Sequence, residues 1–156
     1  MKLKVKKLHP DAILPKYATA GSACFDLHAV LVDSKEGPYE DVLPKGCTLT
    51  IRTGLAFEIP DGHVMMIFSR SGHGFRNDVS LSNCVGILDA DYRGEAMVKL
   101  RNDSPIADPV EASMTVTHGD RIAQAMIVPI PRVDLELVDD LSDTARGAGG
   151  FGSTGA

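Results

Sequence analysis

The stretch Leu55-Ala56-Phe57-Glu58-Ile59-Pro60-Asp61-Gly62-His63-Val64-Met65-Met66-Ile67-Phe68 decides the fold of this chain. A period of two is that of a β-strand, and Pro60-Asp61-Gly62 is typical of a turn. The stretch therefore predicts two strands separated by a turn. Its alternating sets are Leu55, Phe57, Ile59 and then Val64, Met66, Phe68.

The same alternation continues on both sides of this stretch. Residues 1–8 alternate lysine with apolar residues and predict a first strand, and residues 121–128 predict a strand because Gly119, Pro129 and Pro131 surround them. A short helix after Ser71 stays open as an alternative. Many short strands at close spacing predict an all-β sandwich or barrel. Further alternating sets are Phe25, Leu27, Ala29; Ala96, Val98, Leu100; Met114, Val116; and Val133, Leu135, Leu137.

Length and composition exclude several classes of protein. The chain has 156 residues, of which 44% are hydrophobic and 24% charged, which suits one globular domain. The net charge of −5 argues against a general binder of nucleic acid or of membrane surfaces, which would carry a basic excess. No apolar run approaches membrane-spanning length. An anionic small molecule remains an acceptable ligand, because local arginines can reverse the field in a cleft.

The cysteines and histidines give no sign of a disulfide framework or a metal cluster. The three cysteines Cys24, Cys47 and Cys84 form no CxxC pair, and the five histidines have no ligand spacing. Buried reduced thiols in a cytosolic protein are the simplest interpretation of the cysteines.

Two segments carry residues suited to chemistry. In Gly86-Ile87-Leu88-Asp89-Ala90-Asp91-Tyr92-Arg93-Gly94-Glu95, an apolar run ends in two carboxylates, an aromatic residue and an arginine. This pattern fits either a solvated hairpin turn or a site on a rigid scaffold. The glycine-rich residues 146–155 fit either a flexible tail or a phosphate-binding segment, since glycine lets backbone N–H groups approach a phosphate closely.

Five segments, in order, resemble the motifs of the deoxyuridine triphosphate nucleotidohydrolases (dUTPases). They extend from Ala20 to Gly155, and all five in sequence are highly specific. The segments are Ala20-Gly21-Ser22-Ala23-Cys24-Phe25-Asp26-Leu27, Arg70-Ser71-Gly72, residues 83–95, Gly119-Asp120-Arg121-Ile122-Ala123-Gln124, and residues 146–155.

This resemblance implies a jelly-roll-like β-sandwich or barrel of the β-clip type, assembled as a homotrimer with shared active sites. Residues 1–143 would form the core and residues 144–156 an arm that closes an active site. The implied cytoplasmic reaction is Mg²⁺-dependent hydrolysis of dUTP to dUMP and pyrophosphate. This reaction keeps uracil out of DNA and supplies dUMP for thymidylate synthesis.

The resemblance also implies roles for residues of the third segment. Asp89 resembles the catalytic carboxylate that orients and deprotonates the attacking water, and Asp91 is its rival by spacing alone. Tyr92 resembles the residue whose ring lies against the deoxyribose and excludes a 2′-hydroxyl. Asn83 begins the hairpin that reads uracil through backbone groups, and Gly86 would allow the base to approach that backbone.

The remaining segments supply phosphate and base contacts by the same resemblance. Asp26 resembles an aspartate that reaches the metal through water, although an inward carboxylate paired with an arginine is an equal alternative. Mg²⁺ itself would bind mainly through substrate phosphates. Phosphate contacts are implied for Ser71, Gly72, Gln124, Arg146, Gly152, Ser153 and Thr154, base stacking for Phe151, and a structural or substrate-binding role for Arg70.

Two further interpretations of the chain are kept open. Residues 104–113 look longer than in the shortest relatives, which suggests either a tolerated insertion or a contact for a protein partner. The rival functions are a deoxycytidine triphosphate deaminase of similar fold and a regulatory protein that senses dUTP. The residues after Asp89 match the hydrolase pattern rather than that of the deaminase.

Overall fold

The computed structural model describes residues 1–33, 36–108, 110–150 and 152–153. Within these ranges the chain forms short antiparallel strands and one helix, as the alternating sequence predicts. The predicted first strand, the strand from Arg121 and the short helix after Ser71 are all present. The elements are β1 (Lys4–Lys7), β2 (Phe25–His28), β3 (Val32–Asp33), β4 (Gly37–Pro38), β5 (Glu40–Leu43), β6 (Thr48–Arg52), β7 (Leu55–Glu58), β8 (His63–Phe68), α1 (Ser71–Asn77), β9 (Val79–Leu81), β10 (Val85–Leu88), β11 (Met97–Asn102), β12 (Met114–Thr117) and β13 (Arg121–Pro129).

The stretch around Pro60-Asp61-Gly62 forms a corner between two sheets. The His63 N–H donates to the Pro60 carbonyl at 3.2 Å, and Gly62 has a φ of 72°. β7 pairs with β1, whereas β8 lies between β10 and β13. Residues 64–68 of β8 are all apolar, so the sequence does not distinguish its two faces, and its deepest residues are Met65 and Ile67 rather than the predicted set.

A four-stranded sheet in the order β10-β8-β13-β2 carries the site. Gln124 of β13 lies between Asp26 of β2 and Phe68 of β8, and Gly86 of β10 pairs with Ile67 of β8. The first, third and fourth motif segments therefore overlap strands of one sheet, and the second follows directly after β8. Hydrogen-bond register sets their relative positions.

The other strands complete a sandwich around one core. β6-β11-β9 form a three-stranded sheet, and β1-β7, β12-β5 and β3-β4 are pairs. One cluster of buried side chains draws on strands from most of these sheets, which confirms the all-β prediction. Its fully buried members include Leu27, Leu43, Ile51, Leu55, Met65, Val79, Val98, Leu100, Val116 and Ile122.

The structure corrects two sequence predictions. Residues 133–138 form no strand, and Val133, Leu135 and Leu137 are 73%, 94% and 100% exposed, because this segment finds no partner strand in the described part of the chain. The cysteines are not buried: Cys47 and Cys84 are exposed, Cys24 is half-buried, and all three are free. Among the described residues, no helix has the length and hydrophobicity needed to cross a membrane.

Candidate functional site

A cavity of about 470 Å³, here the hairpin cleft, lies beside the turn between β9 and β10. It contains Asn83, Gly86, Asp89 and Tyr92, which the sequence assigns to the nucleoside and the attacking water. Residues that the sequence analysis missed also line it, among them Ile67, Glu95, Met97 and Lys99. The alternation along β11 could have identified two of these residues. Val98 and Leu100 are buried, so Met97 and Lys99 face outward.

Gly86 is required by close packing rather than by its backbone angles. A Cβ atom at Gly86 would lie 3.1 Å from the Cβ of its cross-strand partner Ile67. The preceding turn is tight, because the Cys84 N–H donates to the Leu81 carbonyl at 3.1 Å while Cys84 adopts a φ of 60°. This packing brings the backbone of β10 to the surface of the cleft.

The two neighbouring aspartates lie in different surroundings. Asp89 follows the last residue of β10 and lines both the hairpin cleft and a second cavity of about 660 Å³. Asp91 lines only the second cavity, where Arg93 and Arg132 also lie. Asp89 is thus the carboxylate of the pair that shares a cavity with Asn83 and Tyr92.

Tyr92 is held at the hydroxyl end of its side chain. Its hydroxyl donates to the Glu95 carbonyl at 3.2 Å. Its ring lies over Gly94 so closely that a Cβ atom there would overlap the phenol. The ring is still 44% exposed, so it can present a flat face to a ligand.

A separate cavity of about 450 Å³, here the arginine cleft, collects the other motif residues. Asp26 accepts hydrogen bonds from Arg70 Nε at 3.0 Å and from Arg121 Nη1 at 3.4 Å. Arg70 Nη1 and His73 Nε2 both lie within hydrogen-bond distance of the Arg121 carbonyl, at 3.2 and 2.8 Å. The structure therefore contains the arginine pairing of Asp26 that the sequence analysis kept as one alternative.

Ser69 and Gln124 join the second and fourth motifs at the same cleft. Gln124 Nε2 donates to the Ser69 carbonyl at 2.9 Å, and Ser69 Oγ accepts from the Leu81 N–H at 2.8 Å. Ser71 and Gln124 line the arginine cleft, and α1 begins at Ser71 after an extended Arg70. The N–H groups of a first helical turn have no partner from a preceding turn. Ser71 and Gly72 are the first two residues of α1, so their backbone N–H groups belong to this set.

The arginine cleft also contains the half-buried thiol of Cys24. The pKa of Cys24 is raised, first by burial and then by the nearby Asp26 carboxylate. A thiol needs its thiolate form to react as a nucleophile or to bind a metal. The raised pKa therefore favours the thiol form of Cys24 over the thiolate.

The donor set fits a metal that binds chiefly through its substrate. Among the described residues, no three His, Cys, Asp or Glu side chains are grouped so as to hold a metal ion. Asp26 is the carboxylate that lines the arginine cleft, and its side chain is 15% exposed. Mg²⁺ often keeps several waters and binds one or two carboxylates together with substrate phosphates.

Of the glycine-rich residues predicted to contact ligand, the structure describes Arg146, Gly152 and Ser153, and these three do not line either cleft. Arg146 Nε donates to the Gly149 carbonyl at 2.8 Å, and Arg146, Gly152 and Ser153 are exposed. Arg146 is absent from the lining of both clefts. Phe151 and Thr154, also predicted to contact ligand, lie outside the described residues.

Comparisons with known proteins all point to the dUTPase family. The sequence pattern of the dUTPase family matches residues 10–155. The deoxyuridine 5'-triphosphate nucleotidohydrolase of Nautilia profundicola is 45% identical over 156 residues, which cover 99% of each chain. The dUTPase of Staphylococcus bacteriophage 80alpha, solved with dUPNHPP, has a TM-score of 0.85 at 28% identity over 99% of each chain. A mutant dUTPase from phage phi11 of S. aureus, described for its structural Mg(II) ion, has a TM-score of 0.75 at 23% identity, with coverage of 90% of this chain and 98% of that one.

Proposed function

The chain belongs to the dUTPase family, and from this premise we propose that it hydrolyses dUTP to dUMP and pyrophosphate. The observation that carries the proposal is the hairpin cleft, where Asn83, Gly86, Asp89 and Tyr92 surround one volume of about 470 Å³. In a cell this reaction keeps uracil out of DNA and supplies dUMP for thymidylate synthesis.

Asp89 acts as the general base in this proposal. It holds a water by hydrogen bonding and takes one proton as the water oxygen bonds to the α-phosphorus. The bond from that phosphorus to the bridging oxygen breaks, and pyrophosphate leaves with the bond's electron pair. Position supports Asp89 over Asp91, because Asp89 lines the hairpin cleft with the nucleoside residues and Asp91 does not.

The nucleoside is selected by shape and by backbone hydrogen bonds. Tyr92 presents its ring to the deoxyribose, so a 2′-hydroxyl would collide with it. Asn83 and the backbone beside Gly86 bind the uracil edge. A wrong base is rejected strongly because it leaves buried polar groups without partners.

The phosphates lie along the arginine cleft in this proposal. Ser71, Gly72 and Gln124 contact them, while Arg70 holds its segment through Asp26. Mg²⁺ supplies charge neutralisation to the triphosphate when bound. Asp26 is the carboxylate that could reach it through water, and the pairing of Asp26 with Arg70 keeps that carboxylate oriented.

Each active site is shared within a homotrimer. The nucleoside residues and the phosphate residues line two separate clefts on one chain, which supports completion of each site by a neighbour. Residues 1–143 form the core unit and residues 144–156 the arm that closes a site. In the arm, the phosphate contacts come from Arg146, Gly152, Ser153 and Thr154, and the stacking ring from Phe151.

A protein partner at residues 104–113 is a second part of the proposal. The phage 80alpha enzyme belongs to proteins described as controlling the transfer of virulence genes by a proto-oncogenic G protein-like mechanism. In this chain the tip of the loop exposes Ile106 and Val110, at 45% and 81%.

The enzyme works in the cytoplasm, where its three free cysteines stay reduced.

Release of pyrophosphate from dUTP, dTTP, dCTP and UTP with Mg²⁺ tests the proposal. Rapid release from dUTP alone is expected. Ammonia from dCTP would identify a deaminase instead, and tight dUTP binding without turnover would identify a sensor.

A further inference from the structure

We propose that Glu95 is a positioning residue for Tyr92 and hence for selection of the sugar. The inference rests on the proposed function, because sugar selection presupposes a deoxyribonucleotide substrate. Glu95 lies half-buried at the end of the turn that carries Asp89 and Tyr92, and its side chain is 14% exposed.

The carboxylate of Glu95 is fixed by a corner between β6 and β7. Arg52 Nε donates to both of its oxygens, at 3.2 and 3.0 Å, and the Gly54 N–H donates to Oε1 at 2.7 Å. Hydrogen bonds to a charged group are stronger than those between neutral groups, so this is a firm attachment.

The corner itself cannot move easily. Gly54 has a φ of 65°, and a Cβ atom there would lie 2.8 Å from the Ala12 Cβ. The Thr53 hydroxyl donates to the Ala96 carbonyl at 2.5 Å, and the Ala96 N–H donates to the Leu55 carbonyl at 2.8 Å. The residues 52–55 thus bind the chain at 95–96 through consecutive contacts.

Tyr92 depends on this attachment. Its hydroxyl donates to the Glu95 carbonyl, while the other bonds of the turn are internal, from Arg93 to the carbonyls of Ala90 and Tyr92. Internal bonds keep the turn compact but do not fix it relative to the cleft. If Glu95 is released, we expect the turn to rotate and the Tyr92 ring to leave the position that excludes a 2′-hydroxyl.

The test compares Glu95→Ala, Glu95→Gln and the matched control Asp103→Ala. Asp103, which follows β11, also accepts a hydrogen bond from an arginine, Arg101 Nε of β11 at 2.6 Å, but it lies outside the lining of the hairpin cleft. For Glu95→Ala the ratio of kcat/KM for dUTP to that for UTP should fall about tenfold, the effect of losing roughly one strong hydrogen bond. Glu95→Gln should retain part of the ratio, because its amide oxygen still accepts from Gly54.

Amide hydrogen exchange of residues 89–95 provides a readout that needs no activity. Exchange should accelerate in Glu95→Ala and stay near wild type in Asp103→Ala. Unchanged exchange in Glu95→Ala, or an equal loss of sugar preference in the control, would overturn the inference. Failure of wild-type protein to hydrolyse dUTP would refute the proposed function, while the exchange measurement would still decide whether Glu95 anchors the turn.

Discussion

At the scale of single residues, Asp89 and Asp91 are two positions apart and share one cavity, but Asp89 alone of the two also lines the hairpin cleft. Asp89→Asn keeps the size of the side chain and removes its basicity. We expect dUTP binding within a few-fold of wild type and a kcat lower by about 10²- to 10⁴-fold. Kinetic and calorimetric titrations measure the two quantities, with Asp91→Asn as the matched control. Near-normal turnover in Asp89→Asn would assign the chemistry to another group.

His28 gives the folded protein a sensitivity to acid. Its pKa is lowered by burial, with Arg121 and Arg70 lowering it further and Asp26 opposing them, and its Nδ1 is buried without a hydrogen-bond partner. The unfolded chain therefore binds a proton more readily than the folded chain. The stability that neutral His28 contributes is present above its ordinary pKa near 6.5 and is lost as the pH falls below it.

Replacement of His28 by leucine removes that titration. We expect the free energy of unfolding of the wild type to fall more steeply than that of His28→Leu between about pH 7 and pH 5. Urea unfolding at several pH values measures both curves. Carboxylates common to the two proteins cancel in the difference, so parallel curves would contradict the assignment.

At the scale of structural elements, Asn102 fastens the loop 104–113 to the corner between β5 and β6. Its buried amide donates to the Leu43 and Ala112 carbonyls at 3.1 and 2.6 Å, and its oxygen accepts from the Ser104 N–H at 3.0 Å. Asn102→Ala leaves these buried groups without partners. We expect a loss of about 2–3 kcal/mol in unfolding free energy. Urea unfolding measures it, and exposed Asn77→Ala should cost far less.

The strands were predictable where one face alone is buried. Alternation marks Val98 and Leu100 correctly, since β11 has a clear inner face. It ranks β8 poorly, because residues 64–68 are all apolar and the pattern does not distinguish the two faces of that strand. It also predicts a strand at residues 133–138, where the alternation is real but a pairing strand is absent from the described chain.

The site was predictable as a set of segments but not as a geometry. The motifs select Asp89, Tyr92 and Gln124 by their order in the chain. The pairing of Asp26 with Arg70 and the attachment of Glu95 to Arg52 are contacts between residues 44 and 43 positions apart. Pairing across such a distance is set by sheet register, which no local pattern encodes.

At the scale of the whole molecule, the segment between β13 and the glycine-rich residues is exposed. From Arg132 to Thr144 every side chain is exposed. A chain truncated after Asp143 should therefore fold and assemble as wild type does but hydrolyse dUTP slowly, because the arm covers ligand rather than core. Sedimentation and kcat/KM report the two properties. Loss of assembly on truncation would show that the arm holds the subunits together.

Mixed assemblies test whether the arm acts on a neighbouring subunit. The truncated chain retains Asp89 but lacks the arm, and full-length Asp89→Asn retains the arm but lacks the base. Co-expression should restore part of the activity that each lacks alone, if sites are completed between chains. An arm acting within its own chain would give no recovery. Each variant expressed alone is the control.

The sheet β10-β8-β13-β2 also governs how the length of such chains can change through evolution. One residue gained or lost inside any of these strands would turn that strand's later side chains to the opposite face and separate its motif from the others. The same change at the surface loop 104–113 costs little, since loop closure depends only weakly on length. Insertions and deletions should therefore accumulate between the strands of this sheet, while the strands themselves keep a constant length.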